Sequence, residues 1–260
     1  MICSSDRERV NDDMQHRLRD YKIMNRHLHF LTKILSLAAS VILTASVLTG
    51  CRTSSVKGPD ADDAGKYVEA LLDLTCTGSY SGPVSLSNAG RDKELEIRDS
   101  IIDDLYASTV EDAGLTEDVQ TLFRDFLVKA GQNCRYSVTD VATSESQASP
   151  DYPEYDVTVS IEPLKAFKGA SELLDKEMDA MESDTGKLLE TDPELICSTA
   201  FRNVFTALSA QLDQPEYESP QTLVVHYYPV DAEHNLYGIS EEDCRRLGEK
   251  LFSMEGLNQD

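Results

Sequence analysis

Beyond residue 50 the chain holds two histidines, His226 and His234, and five cysteines, Cys51, Cys76, Cys134, Cys197 and Cys244. These side chains are the ones best suited to proton transfer, nucleophilic attack or metal binding near neutral pH. A cysteine nucleophile has to meet a histidine in space, and no spacing here demands it. There is no Gly-x-Ser-x-Gly elbow for a serine hydrolase. With 47 acidic residues in the chain, a neighbouring pair of carboxylates carries no signal of acid–base catalysis. Asp60-Ala61-Asp62-Asp63-Ala64-Gly65 begins like a calcium loop, yet its fifth position is Ala64 and its twelfth is Leu71, where a bidentate glutamate is needed. His226, Asp231, Glu233 and His234 surround a transition metal only if the chain doubles back at the turn, and the two histidines lack a zinc spacing. The sequence therefore assigns no catalytic, cofactor-binding or metal-ligating residue. A non-enzymatic binding domain is the expectation, with an exported enzyme acting on cell-wall or peptide substrates as the alternative.

Cys51 has a more definite chemistry. The fifteen residues Ile34 to Leu48 carry no charge, and Arg26, His27, His29 and Lys33 precede them. A membrane-spanning helix needs roughly 20 apolar residues, so the run is short for a permanent span. Two small residues, Thr49 and Gly50, then stand before the cysteine, as in a cleaved export signal. Leu48-Thr49-Gly50-Cys51 resembles the lipobox of bacterial lipoproteins. The resemblance implies cleavage between Gly50 and Cys51 and a diacylglyceryl group on the Cys51 thiol. Each buried methylene contributes about 0.8 kcal/mol, so two acyl chains hold firmly where one is marginal. An uncleaved anchor or a buried helix is the other reading of the apolar run.

This divides the chain. Residues 1–23 mix both signs of charge ahead of Met24 and are read as an over-extended start or a cytoplasmic tail. Residues 24–50 are the lipoprotein signal peptide, 51–65 the lipidated cysteine with a flexible tether, and 66–260 an extracytoplasmic domain on the outer face of the cytoplasmic membrane. Residues 1–50 hold 7 of the 24 basic and 5 of the 47 acidic residues, leaving 17 and 42 and a formal charge of −25 on the rest. Such a surface repels phosphate backbones and anionic headgroups. Nucleic acid is excluded as a partner, and the membrane is reached through the lipid anchor. A protein or cell-wall component remains as partner. The four cysteines after Cys51 allow three complete pairings that sequence cannot separate, and three of them fall on or beside apolar helix stripes, as unpaired buried cysteines do.

The elements follow from hydrophobic period. Ala64, Tyr67, Val68, Leu71, Leu72 and Thr75 mark a first helix, with Asp62 and Asp63 at its start and Gly78 after its end. A second is expected from about Asp92 to Ala107. A third opens at Thr116, lines up Val119, Leu122, Phe123, Phe126, Leu127 and Ala130, and is expected to stop at Gly131. The period then changes to two: Cys134, Tyr136 and Val138, and after a Ser-rich loop (Ala142 to Pro153) Tyr155, Val157, Val159 and Ile161, alternate with polar residues as antiparallel strands do. Thr158, Ser160 and Glu162 share the opposite face, where His226 and Tyr228 of a neighbouring strand are expected. Helix resumes after Pro163 through Phe167, Ala170, Leu174, Met178 and Met181. Another starts at Asp192-Pro193 and runs through Cys197, Phe201, Val204, Phe205 and Leu208. Gln221 to Val230 is a strand, Asp231 to Asn235 a turn, Leu236 to Ile239 a return strand. Ser240 to Asp243 forms a capping box for a last helix with Cys244, Leu247 and Leu251 inward. The expected fold is α+β, an antiparallel sheet packed with about six amphipathic helices. An echo between Phe123-Arg124-Asp125-Phe126-Leu127 and Phe201-Arg202-Asn203-Val204-Phe205 allows two similar helix-then-sheet halves.

With the lipobox, the segments Tyr67 to Gly78, Tyr155 to Pro163 and Tyr237 to Asp243 resemble a family of Gram-positive (Firmicutes) cell-surface lipoproteins that carries a C-terminal domain of unknown function. The resemblance covers most of the chain after Cys51. It implies a surface-anchored α+β domain without an established activity.

Overall fold

The computed structural model describes residues 51–52, 58–79, 96, 99, 115–145, 152–182, 193–253 and 255. The expected leading segment 1–23, signal peptide 24–50 and helix 92–107 lie outside them, apart from Glu96 and Asp99, which are helical. In chain order the elements are β1 (Cys51–Arg52), α1 (Ala61–Thr77), α2 (Glu117–Gln132), β2 (Arg135–Thr143), β3 (Tyr155–Glu162), α3 (Ala170–Glu182), α4 (Pro193–Gln211), β4 (Gln221–Asp231), β5 (Leu236–Ile239) and α5 (Glu241–Leu251). Five helices are thus seen among the described residues, against about six expected.

α1 starts earlier than its apolar stripe suggests and takes in residues 61–65 of the expected tether. The cause is a complete capping box. The Asp60 side chain accepts the Asp63 N–H at 2.9 Å, and the Asp63 carboxylate accepts the Asp60 N–H at 3.2 Å. Gly78, at φ 74°, ends the helix and donates its N–H to the Leu74 carbonyl, a left-handed position that glycine takes without a steric penalty.

Four strands form an antiparallel sheet in the order β5-β4-β3-β2, and the two residues of β1 extend it beside β5. Asp156 stands opposite His226, Thr158 opposite Val224 and Ser160 opposite Thr222. The inward residues of β3 and β4, among them Val157, Val159, Ile161, Leu223, Val225 and Tyr227, pack with Tyr67, Val68, Leu71 and Leu72 of α1 and Cys244, Leu247 and Leu251 of α5. Tyr67 and Tyr237 both lie against the buried Tyr227 ring, at centroid distances of 5.1 and 5.6 Å. A bulge between Val138 and Asp140 interrupts the alternation of β2.

A second apolar cluster gathers α2, α3 and α4 with Leu164, Ala166 and Phe167. Phe123 and Phe205 meet at 5.0 Å, so the two echoing sequences are neighbouring helices around one core. The two similar halves are not seen: all four strands share one sheet, and the echoing helices share one cluster. α3 begins at Ala170, later than expected. Leu164 is occupied instead in main-chain bridges, taking the Ser253 N–H and donating to Leu251, each at 2.9 Å. Phe167 is buried all the same, from the turn before the helix.

Gly131 corrects the reading of α2. The helix continues through it to Gln132. The glycine serves a close approach, since a Cβ there would lie 2.3 Å from the Cys76 carbonyl oxygen of α1.

Candidate functional site

The sheet face away from α1 and α5 is lined by the even-numbered residues of β3 and β4, and they are partly or fully exposed. Val224 is 46% exposed although it sits mid-strand. At one end of the face Arg135 pairs with Glu162 at 3.2 Å, and its guanidinium lies 3.9 Å from the Tyr217 ring centre. The expected grouping of Thr158, Ser160 and Glu162 with His226 and Tyr228 is what the β3–β4 register produces.

The chemistry of this face centres on His226. Its Nδ1 is 2.9 Å from Asp156 Oδ1 and its Nε2 is 2.9 Å from Glu154 Oε2. The ring stacks on Tyr228 at 5.6 Å with an interplanar angle of 11°. Partial burial pulls its pKa down, but the hydrogen bonds and charges of Asp156 and Glu154 outweigh that, and the net shift is upward. A histidine with an acceptor on each nitrogen is best satisfied as the imidazolium, which has two donors. Glu154 is buried, and its carbonyl accepts the Ser144 N–H at 2.9 Å, fastening the segment before β3 to the end of β2. The His226 N–H reaches Asp243 Oδ2 of α5 at 3.3 Å.

Asp243 also departs from the expected capping box. Ser240 does cap α5, its Oγ accepting the Asp243 N–H at 3.0 Å. The Asp243 carboxylate turns to the Ser240 hydroxyl, Arg246 and the His226 main chain, and so ties helix to sheet.

The other residues tested for metal binding are drawn apart. His234 Nδ1 bonds Asp231 of its own turn at 2.7 Å, while His226 faces β3. Asp60 and Asp63 are committed to the α1 cap. Among the described residues no group of three or more His, Cys, Asp or Glu side chains is arranged so that it could hold a metal ion. Cys76 and Cys244 are buried as their stripes suggest, Cys134 is half-buried, and all three are free. Burial, reinforced by Asp243 and Glu241, pushes the Cys244 thiol up to about 12. The side chains of Cys197 and Cys51 lie outside the described residues, as does Gly50 entirely.

Sequence reasoning placed His226 and missed its partners. Asp156 was readable as a wet-face residue of β3, but Glu154 lies ahead of the alternating run and gives no periodic signal. A separate cleft of about 630 Å³ was also unforeseen. It runs between Lys165, Lys168 and Gly169 on one side and Leu212, Asp213 and Glu216 on the other. Its lysines are paired, Lys168 with Glu216 at 2.6 Å and Lys165 with Glu255.

No family model matches the chain, and no curated protein matches it. Among solved structures, a Bacillus subtilis protein described as a "putative lipoprotein" is similar, with 15% identity and a TM-score of 0.48. The alignment covers 74% of this chain and 56% of that one, so the chain spans little more than half the length of its structural relative. Among the described residues no helix is long and apolar enough to cross a membrane.

Proposed function

We propose that the chain is a lipid-anchored protein on the outer face of the cytoplasmic membrane, whose domain is a non-enzymatic module that binds a partner protein on the open face of its sheet. The anchoring rests on the charge-free run, the small residues Thr49 and Gly50, and Cys51. One observation carries the binding: Val224, 46% exposed, stands on the outward face of β4 beside Thr158 and two residues from His226, while α1 and α5 pack on the opposite face of the sheet. Protein interfaces mix apolar and aromatic side chains with polar ones, as this face does. The His226–carboxylate cluster is the feature an enzyme would use. Both ring nitrogens are already engaged, however, and neither is open to take a substrate proton while Asp156 and Glu154 hold them.

Two measurements test this reading. Cys51→Ala abolishes acyl labelling and signal processing; unchanged lipid incorporation sinks the anchor. A photo-crosslinking residue at Val224 in intact cells captures a protein that the same group at Lys250, on α5, does not. Capture of wall glycan alone, or equal capture from both sites, removes the support for a protein partner on this face.

A further inference from the structure

The last turn of α1, the end of α2 and the start of β2 meet at two thiols that the sheet-face cluster does not involve. Cys76 is buried in α1, and Cys134 is half-buried between α2 and β2. Cys76 belongs to the apolar cluster under the sheet, Cys134 packs against that same cluster, and the Cys134 side chain raises the Cys76 thiol pKa, as a near neighbour does. Main chains converge at the same corner, for it is the Cys76 carbonyl that stands 2.3 Å from where a Gly131 Cβ would be. The Cys134 thiol also donates to the Ala130 carbonyl at 3.7 Å, and the Tyr136 hydroxyl donates to Asp73 at 2.7 Å, bracing β2 against α1. Packing thus brings two unlinked thiols to one corner of the fold from residues 58 positions apart in the sequence.

We propose that Cys76 and Cys134 are a dithiol pair that closes to an intramolecular disulfide when it meets a disulfide-containing oxidant. That this is the standing form in the cell rests on the export reading above, because disulfides persist outside the reducing cytoplasm. Cys134 is the more accessible sulfur and reacts first. Its thiolate attacks an oxidant R–S–S–R, forming Cys134–S–S–R and releasing RS⁻, which takes up the proton that Cys134 lost. The Cys76 sulfur then loses its proton and attacks the Cys134 sulfur, and the second RS⁻ leaves and is protonated in turn. Two protein thiols are oxidised and one external disulfide is reduced to two thiols. The neighbouring Cys134 first and burial second hold the Cys76 thiol well above its ordinary value. The buried Cys76 sulfur is shielded from the oxidant itself and meets the mixed disulfide on Cys134 within the folded chain. The closed bond ties α1 to β2 across residues 77–133.

The test uses the processed chain extracted from membranes in detergent, reduced, and then incubated with glutathione disulfide. Peptide mass mapping is expected to show Cys76 linked to Cys134, lighter by two hydrogen atoms, with the apparent Tm raised by about 5–10 °C. Cys134→Ala and Cys76→Ala each abolish the link, while Cys244→Ala leaves it in place. Mixed glutathione adducts without closure, or a bond from either cysteine to Cys197, overturn the proposal. A second arm alkylates free thiols at lysis of the exporting cells. Acylated chain whose Cys76 and Cys134 react only after reduction supports the standing form, and acylated chain with both free overturns it. Chain without acyl groups at Cys51 counts against the export reading instead, and the incubation with glutathione disulfide, which does not depend on location, then decides the pair.

Discussion

His226 carries the clearest pH dependence of any single residue. Its folded pKa lies above the unfolded value of about 6.5, so the contacts with Asp156 and Glu154 stabilise the fold fully below that value. The contribution is lost as the pH rises through the folded value and the imidazolium gives up its proton. Thermal melts between pH 5.5 and 8.5 are therefore expected to show wild type losing an increment of Tm that His226→Gln never has. A mutant profile parallel to wild type removes the ion-pair account. Alternation by two was enough to put Asp156 and His226 on the wet face. Their meeting depends on strand register across the 58 residues between β3 and β4, and no local pattern carries that.

At the scale of elements, the helices among the described residues were legible from their apolar stripes, and the strands from their alternation. Boundaries failed where tertiary contacts set them. Gly131 resembles a stop signal in sequence and is a contact residue in space. Gly131→Ala gains about 1 kcal/mol of helix propensity. The new methyl group would meet a main-chain carbonyl fixed within α1, which cannot swing aside as a flexible side chain can. Overpacking of this kind costs about 1–3 kcal/mol, and the clash outweighs the gain. Urea unfolding is expected to show a lower midpoint for the variant. A higher midpoint would mean that α1 and α2 separate at little cost. The start of α3 failed for a similar reason, since Leu164 is drawn into bridges with Phe252 and Tyr217, segments far from it in sequence.

The molecule as a whole has two apolar clusters, one under the sheet and one among α2, α3 and α4. Phe252, at the end of α5, packs against both, and its ring lies 6.3 Å from that of Phe167. Phe252→Ala removes that shared contact at a cost of about 1–3 kcal/mol for a partly buried aromatic. Hydrogen exchange is the informative readout, because regions with separate cores can open separately. Amides of α2 and α4 are expected to lose protection in the variant while those of β3 and β4 keep theirs. Uniform loss across both would show one cooperative unit. If the expected result holds, Phe252 acts as a rivet between two plates. The helical plate can then loosen while the sheet stays shut, so a partner gripping the Val224 face would meet a rigid surface even on a molecule that has begun to come apart elsewhere.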